Sequence, residues 1–433
     1  MKQAVRLFIP WLAFASLSAQ ESLTIQDAIR RAWTDQSGLQ AGEAMVAGAR
    51  AEAEAARDLR LPTLALAAGL TRSNEPMMAF GTRLDQARIT QADFDPARLN
   101  HPDALTGAGA TLTLTPPLYA GGKLDAARKA GAAMADSAAA SQARRRQEVA
   151  LAVEQAYFGA QVAERALAFA EDTRSQAVET ERFVQARVDQ GLLLKSEGAR
   201  TRAFRAQSEA GVVEARQRVA SARSALELLL GGDIPATLAT PVEPAEAGVA
   251  DAPGLRSDLE AARFQAEAAR QGVAAARGAW RPEVGLNLAA GTARYSLGDG
   301  GNWTTVSLGA RWTFSFADSP RVQAAQANAR AAELGLKWQE RQAGREVAEA
   351  RRSLETAQAR IAFAQEAVAA SESVRAMRTA RHREGLLPLV EVLDAETALS
   401  GARTLLLSSQ LEWRLSRAQL ALALGQPIED VKE

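Results

Sequence analysis

The segment Ala186–Gly231, ARVDQGLLLKSEGARTRAFRAQSEAGVVEARQRVASARSALELLLG, realigns without a gap on Ala380–Gly425, ARHREGLLPLVEVLDAETALSGARTLLLSSQLEWRLSRAQLALALG. Both copies open on Gly-Leu-Leu, carry an acid six residues after that Gly, and close on Leu-Gly. Upstream of each lies a long Ala-rich stretch. Before that comes a pair of alternating apolar segments opened by a Pro, RLPTLALAAGL from Arg60 and WRPEVGLNLAAGT from Trp280. The order strands, long helix, turn, long helix is written twice, and a duplication on this scale specifies an architecture before any single residue specifies a chemistry.

The boundaries follow. Residues 20–231 form a first repeat with its strand pair at about 62–118, and 255–425 a second with its strand pair at about 282–316. Residues 232–254 link them and 426–433 are a tail. The first 19 residues carry a basic start, MKQAVR, an apolar core, LFIPWLAFASL, too short to span a bilayer, and small residues at Ser18 and Ala19. They read as a signal peptide cleaved near Gln20 or Glu21, hence export. No later window approaches 18 uninterrupted apolar residues, so any entry into a membrane must be by β-strands.

Only 15 Pro occur in 433 residues, which favours a few long helices. Lys+Arg and Asp+Glu balance at 51 each, so no basic stripe is available to neutralise phosphates and nucleic acid is not an expected partner. With no Cys there is neither a disulfide framework nor a thiolate metal site, and no acceptor for a lipid anchor after the signal.

The helices carry a seam. In the last one Val392, Leu399, Leu406, Trp413 and Leu420 recur every seventh residue, and Ala395, Ala402, Ser409, Ser416 and Ala423 follow three positions later. The helix before it repeats the pattern with Val347, Leu354, Ile361 and Val368 beside Ala350, Ala357, Ala364 and Ser371. Its first-half counterpart has Ala156, Ala163, Ala170 and Ala177. Large and small residues alternating along one heptad seam describe a closely packed coiled coil. The stretch from Pro320 to Glu384 would make a helix about 100 Å long at 1.5 Å per residue.

The strands alternate. In WTTVSLGARWTFSF, Trp303 to Phe316, one face takes Val306, Leu308, Ala310, Trp312, Phe314 and Phe316 and the other Ser307, Gly309, Arg311, Thr313 and Ser315. Leu112 and Leu114 alternate with Thr111, Thr113 and Thr115, and Leu64, Leu66, Val284, Leu286 and Leu288 complete four segments. This is the pattern of lipid-facing barrel strands, with Tyr119, Tyr295, Trp303 and Trp312 as an interfacial girdle.

On these features the chain resembles the TolC-like outer-membrane factor family. The resemblance is carried by the joints at Pro62 and Pro282, the PLYAGGK turn at Pro117–Lys123, the loop PMMAFGTRLDQARITQADFDPARLNHPDAL, and the hairpins DQGLLLKSEGA and REGLLPLVEVLDAE. One departure is visible: the second strand-to-helix joint, FSFADSP, lacks the Gly-Gly of the first. The resemblance implies an α+β membrane protein: a homotrimer with four strands per protomer in one 12-stranded outer-membrane β-barrel, continued by a long periplasmic α-helical coiled-coil barrel. It implies the exit duct of a tripartite efflux pump or type I secretion system, passive, without cofactor. Its partners would be a periplasmic adaptor and an inner-membrane pump of RND or ABC type. It places Glu391 and Asp394, with Glu197 as first-copy counterpart, at the periplasmic aperture. Adaptor docking falls at the tips marked by Gly191, Leu192, Gly385 and Leu386. The segments around 232–254 and after 425 would lie beside the tunnel.

Physical argument points the same way. Four strands cannot close a barrel, and open edges are not tolerated in lipid, so protomers must associate. Catalysis finds no foothold. Gly121-Gly122-Lys123 is not a phosphate loop, because the required Gly is Pro117 and Leu124 replaces Ser or Thr. His101 and His382 have no second ligand at suitable spacing and are expected in solvent. The alternative is a periplasmic adaptor, also exported and built on an α-hairpin, which would show one hairpin within β-rich domains. A coiled-coil scaffold outside the membrane leaves the strand quartet without a purpose.

Overall fold

The computed structural model describes residues 22–244, 254–296 and 298–428. The signal peptide, residues 245–253 of the linker and residues 429–433 of the tail lie outside them. The elements in chain order are β1 (Ser22–Leu23), α1 (Ile25–Asp35), α2 (Ser37–Asp58), β2 (Thr63–Ser73), α3 (Pro76–Asp85), α4 (Pro96–Asn100), β3 (Leu105–Thr115) and β4 (Pro117–Ala120). Then come α5 (Lys123–Asp189), α6 (Lys195–Leu230), β5 (Thr237–Leu238), α7 (Ser257–Gly278), β6 (Glu283–Arg294), β7 (Gly300–Arg311), α8 (Asp318–Arg383) and α9 (Leu389–Leu424). The duplication is visible in the lengths: α5 and α8 have 67 and 66 residues, α6 and α9 have 36 each. Both short helices end at a left-handed Gly, Gly231 and Gly425, each with φ 72.

The chain divides into two compact units, each drawing on both repeats: one within residues 1–42, 143–256 and 342–433, the other within 43–142 and 257–341. The first contains the main apolar core, where Ile25 and Ile29 of α1, Val153, Tyr157 and Phe158 of α5, Leu226 and Leu230 of α6, and Ala418 and Leu422 of α9 are buried around Val242. The heptad seam supplies a second buried row. On α9, Val392, Leu399, Trp413 and Leu420 are buried together with Ala395, Ala402, Ser409, Ser416 and Ala423. Ala357, Ile361 and Trp413 pack as one cluster, a large indole filling the space the small residues leave.

In the same unit, β1 and β5 pair in parallel, and the strap that follows β5 is tied down by polar groups. The Tyr157 hydroxyl donates to Leu23 O (2.7 Å) and accepts from Thr240 N (2.9 Å); burial pushes this phenol up. Arg414 reaches the carbonyls of Pro241 and Glu243, at 2.6 and 2.7 Å.

The second unit holds the sheet. Its helices pack on alanine: Ala126, Ala133 and Ala140 of α5 and Ala261, Ala262 and Ala266 of α7 are buried, and the Ser137 hydroxyl donates to Ala261 O (3.0 Å). The four long strands run antiparallel in the order β2-β3-β6-β7, with β4 continuing β3 along β6 and bulging between Pro117 and Tyr119. Directly opposed residues point to the same face. One row is Leu64, Leu114, Leu288 and Val306; the neighbouring residues on the other face are Ala65, Thr113, Ala289 and Thr305. An apolar face and a threonine-rich face therefore run across all four strands. Strands of 11 and 12 residues are long enough to cross a bilayer when tilted. Among the described residues β2 and β7 have no second neighbour.

Two expectations change. Strand β7 stops at Arg311, because its partner β6 begins at Glu283 after Pro282, which has no N–H to extend the ladder. Trp312, Phe314 and Phe316 thus belong to the joint, where Trp312 Nε1 donates to Trp280 O (3.1 Å). Trp303 is not part of the outer girdle. It opposes Gly291 on the threonine face, and a Cβ at Gly291 would collide with the indole. The long loop after β2 is folded into α3, a 3-10 turn and α4. The two strand-to-helix joints do turn differently: Gly121 and Gly122 at φ 65 and 85 in the first, Ser315 and Asp318 hydrogen-bonding around the turn in the second.

Candidate functional site

The two tips of the helical hairpins have one backbone design. Gly191 follows α5 with φ 74 and Gly385 follows α8 with φ 80, the left-handed region a Cβ disfavours. Leu192 N donates to Arg187 O and Leu386 N to Arg381 O, both at 2.9 Å, while Gly191 N and Gly385 N donate to Val188 O (2.9 Å) and His382 O (3.0 Å). These bonds satisfy the last carbonyls of each long helix. The residues that cap the return helices, Leu194 and Pro388, have nearly identical extended backbones, φ −73, ψ 146 and φ −67, ψ 153. Pro388 therefore fixes a conformation that Leu194 adopts unaided.

Leu192 and Leu386 are 68% and 69% exposed in the chain, so they do not pack within their own hairpins. Their neighbours do. Val184, Leu389 and Leu393 are buried with Phe183, Val188, Leu193 and Phe204 around them, joining the two hairpins. Arg187 donates to Arg383 O (3.2 Å) and lies 4.3 Å over the Phe183 ring.

The three aperture acids differ in surroundings. Glu391 Oε2 is 2.9 Å from Arg378 Nη1, which also bonds the Glu391 carbonyl (3.2 Å). Asp394 is exposed. Glu197 has one carboxylate oxygen enclosed without a hydrogen-bond donor. Arg200, at the position of Asp394 in the first copy, is exposed.

His382 is buried rather than solvated. Its Nδ1 lies 2.8 Å from Leu387 O, its ring packs edge-on against Phe183 with centroids 6.1 Å apart, and Nε2 is enclosed without a partner. The flanking Arg381 and Arg383 gave a false signal, since residues adjacent on a helix point about 100° apart. His101 is exposed, as expected. Sequence reasoning also missed Arg378, Arg375 and Arg403. Arg375 Nε pairs with Glu396 (2.8 Å), and Arg403 bridges Asp172 of α5 (3.0 Å) and Glu372 of α8 (3.1 Å). No spacing within one helix marks such pairs; they exist only once the hairpins are in register.

The architecture and tip geometry meet a family pattern. That of the outer membrane efflux proteins matches residues 28–232 and 250–426. The chain belongs to the outer membrane efflux protein family. A curated relative, the solvent efflux pump outer membrane protein SrpC of Pseudomonas putida, is 30% identical over 249 residues, 52% of this chain and 51% of that protein. The chain thus matches about half the length of this relative. Among solved structures, the outer membrane protein VceC of Vibrio cholerae aligns with TM-score 0.78 and 23% identity, covering 94% of this chain and 97% of that one. The CmeC outer membrane channel of Campylobacter jejuni aligns with TM-score 0.81 and 16% identity, covering 94% and 87%. At such identities the likeness establishes the fold, and it spans strands and hairpins together. An adaptor, with one hairpin among β-rich domains, does not fit it. Family membership makes this an outer membrane efflux protein.

Proposed function

We propose that three copies of the chain close one 12-stranded barrel and continue as a periplasmic helical tunnel, forming the exit duct of a tripartite efflux pump or type I secretion system. The observation that carries this is the sheet: a continuous apolar face, a threonine-rich face and two free edges, in strands long enough to span a bilayer. Lipid tolerates no open edge, so each β7 must meet the β2 of a neighbour, with the leucine face outward. The duct conducts passively; the energy is supplied by an inner-membrane pump of RND or ABC type through a periplasmic adaptor. The purified protein should run as a trimer in detergent and give discrete conductance steps in planar bilayers. A monodisperse soluble monomer without detergent would sink this reading.

At the tips, Leu192 and Leu386 offer apolar side chains with no core to enter, which suits the adaptor's helical hairpin. Leu192→Asp or Leu386→Asp should abolish export while leaving trimer and conductance normal; loss of the trimer would assign these residues to structure instead. Inside the tip, threefold symmetry would set Asp394, Glu391 and Glu197 as acidic rings that favour cations and bind multivalent ones. Since Arg378 offsets Glu391, Asp394 and Glu197 supply the uncompensated charge.

A further inference from the structure

The first outer loop, 74–104, is a folded body. Its α3 packs through Phe80 edge-on against Phe94, centroids 5.8 Å apart, and Arg83 pairs with Asp93. Asp93 accepts from Thr90 N (2.7 Å) and from the Thr90 hydroxyl (2.8 Å). α3 ends with Ala87 in the left-handed region, φ 54, a conformation alanine adopts only where its surroundings hold it there. Those surroundings are the far ends of the strands. The Gln86 side chain is buried, and its Nε2 donates to Thr106 O on β3 (3.2 Å) and Arg294 O on β6 (3.1 Å). Arg88 lies 4.5 Å over the Tyr295 ring.

The face on which this body sits decides its meaning. Gly301 opposes Ala293, which opposes Gly109, so Gly301 lies on the threonine face, as does Gly107 two residues along β3. A Cβ at Gly301 would collide with Asp85 O, and one at Gly107 would come 2.8 Å from Thr82 Cγ2. Residues 82–87 therefore lie against the threonine face, opposite the leucine row, in a notch that two glycines keep clear.

We propose that residues 74–104 are a lid folded inward over the outer mouth of the barrel, setting the bore through which substrates leave. The proposal rests on the duct reading, which turns the threonine face toward the lumen. Three lids then converge about the threefold axis, just beyond Trp303 on the same face. The hydrogen bonds from Thr90, with Arg83 adding to them, hold the Asp93 carboxyl below the usual carboxylate range. A group so depressed contributes stability above its unfolded value near 4 and loses it only as pH falls through the folded value. The lid stays folded across neutral and mildly acidic pH.

The absence of Cys makes the test clean. Single cysteines are placed by Thr113→Cys on the inner face and Leu112→Cys on the outer, and intact cells are treated with an impermeant maleimide, either small or coupled to a bulky polymer. The small reagent should label Thr113→Cys readily and Leu112→Cys not at all. The bulky reagent should label Thr113→Cys slowly, and about tenfold faster once Gln86→Ala removes two hydrogen bonds. Gly301→Val, which forces the loop off its seat, should do the same; if it lowers trimer yield, Gln86→Ala decides. A bulky-reagent rate unchanged by Gln86→Ala overturns the lid. Labelling of Leu112→Cys but not Thr113→Cys by the small reagent overturns the face assignment, and with it the duct reading.

Discussion

The two helical hairpins share a backbone and carry opposite ion-pair polarity. In the first, the acids stand on the long helix: Glu164, Glu171 and Glu181 of α5 pair with Arg223, Arg216 and Arg205 of α6, at 2.8, 3.1 and 2.6 Å. In the second, three pairs have the arginine on the long helix, Arg360, Arg375 and Arg378 of α8 with Glu412, Glu396 and Glu391 of α9, while Arg403 of α9 with Glu372 of α8 runs the other way. Extending the repeat register places Arg375 at the position of Glu181, so the reversal occurs at one equivalent position of the long helices, the return-helix partners lying one turn apart, at Arg205 and at the Arg202 position that Glu396 takes. Each helix is complementary to its own partner. In that register, returning α9 against α5 would set Glu396 facing Glu181, and returning α6 against α8 would set Arg205 facing Arg375. Duplicated hairpins with similar apolar seams invite mispairing, and reversed charge discriminates where hydrophobic packing does not.

The comparison breaks most sharply at Arg375. The Glu396 side chain is only 11% exposed, so Arg375→Ala leaves a nearly buried carboxylate without its counter-ion and should cost about 3 kcal/mol, read as a lowered Tm of the detergent-solubilised protein. Arg375→Glu combined with Glu396→Arg gives this pair the polarity of the first hairpin and should recover most of that loss. Recovery no better than the sum of the single changes would show that the pair acts through shape rather than charge.

At the turns the two hairpins should behave alike. Nothing lies within 4 Å of a Cβ built on Gly191 or Gly385, so a substitution there meets backbone strain alone. Gly191→Val and Gly385→Val should each cost about 1–2 kcal/mol, because a β-branched residue resists the left-handed region. Unequal Tm losses would mean that one tip can relax its turn and that the shared geometry is not equally constrained.

These contrasts mark where sequence was sufficient. The repeat, the long helices and the four strands were legible because heptads and alternation are local periodicities, and Pro62 and Pro282 place the strand starts. The turns at Gly191 and Gly385 were legible because a left-handed helix end strongly favours Gly. The lid was less so, although Glu75-Pro76 and Asp95-Pro96 are helix-start signals, because helices of 10 and 5 residues carry little periodicity. The partners of Glu391 and Glu396 were not legible. Arg378 and Arg375 lie on another helix, and their pairing depends on the offset between helices. The notch at Gly301 depends on a register across three strands.

His382 offers a smaller test. In the repeat register it occupies the position of Val188, which packs against the same apolar cluster that joins the tips. His382→Val removes the Nδ1 hydrogen bond to Leu387 O, worth about 1 kcal/mol, and also removes a buried nitrogen that has no partner. The two nearly cancel, so Tm should shift by less than about 1 kcal/mol equivalent. A loss well above that would show that the imidazole has a role at the tip that valine in the first copy does not fill.

The smallest expected effect on stability is at the aperture. Arg378 and Glu391 are both partly exposed, at 35% and 39%, and water screens the pair, so a double-mutant cycle of Arg378→Ala with Glu391→Gln should give a coupling of about 0.5 kcal/mol. In the first copy the position of Arg378 is taken by Val184, which is why Glu197 lacks an arginine. Glu197→Gln should then leave Tm unchanged or raise it slightly, whereas Glu391→Gln lowers it slightly. Conduction separates the acids more clearly than stability does. Arg378→Ala frees the Glu391 charge and should raise cation preference in planar bilayers, and Asp394→Asn should lower it and weaken block by trivalent cations. If Arg378→Ala leaves ion selectivity untouched while Asp394→Asn changes it, Glu391 serves the hairpin alone and the acidic ring consists of Asp394.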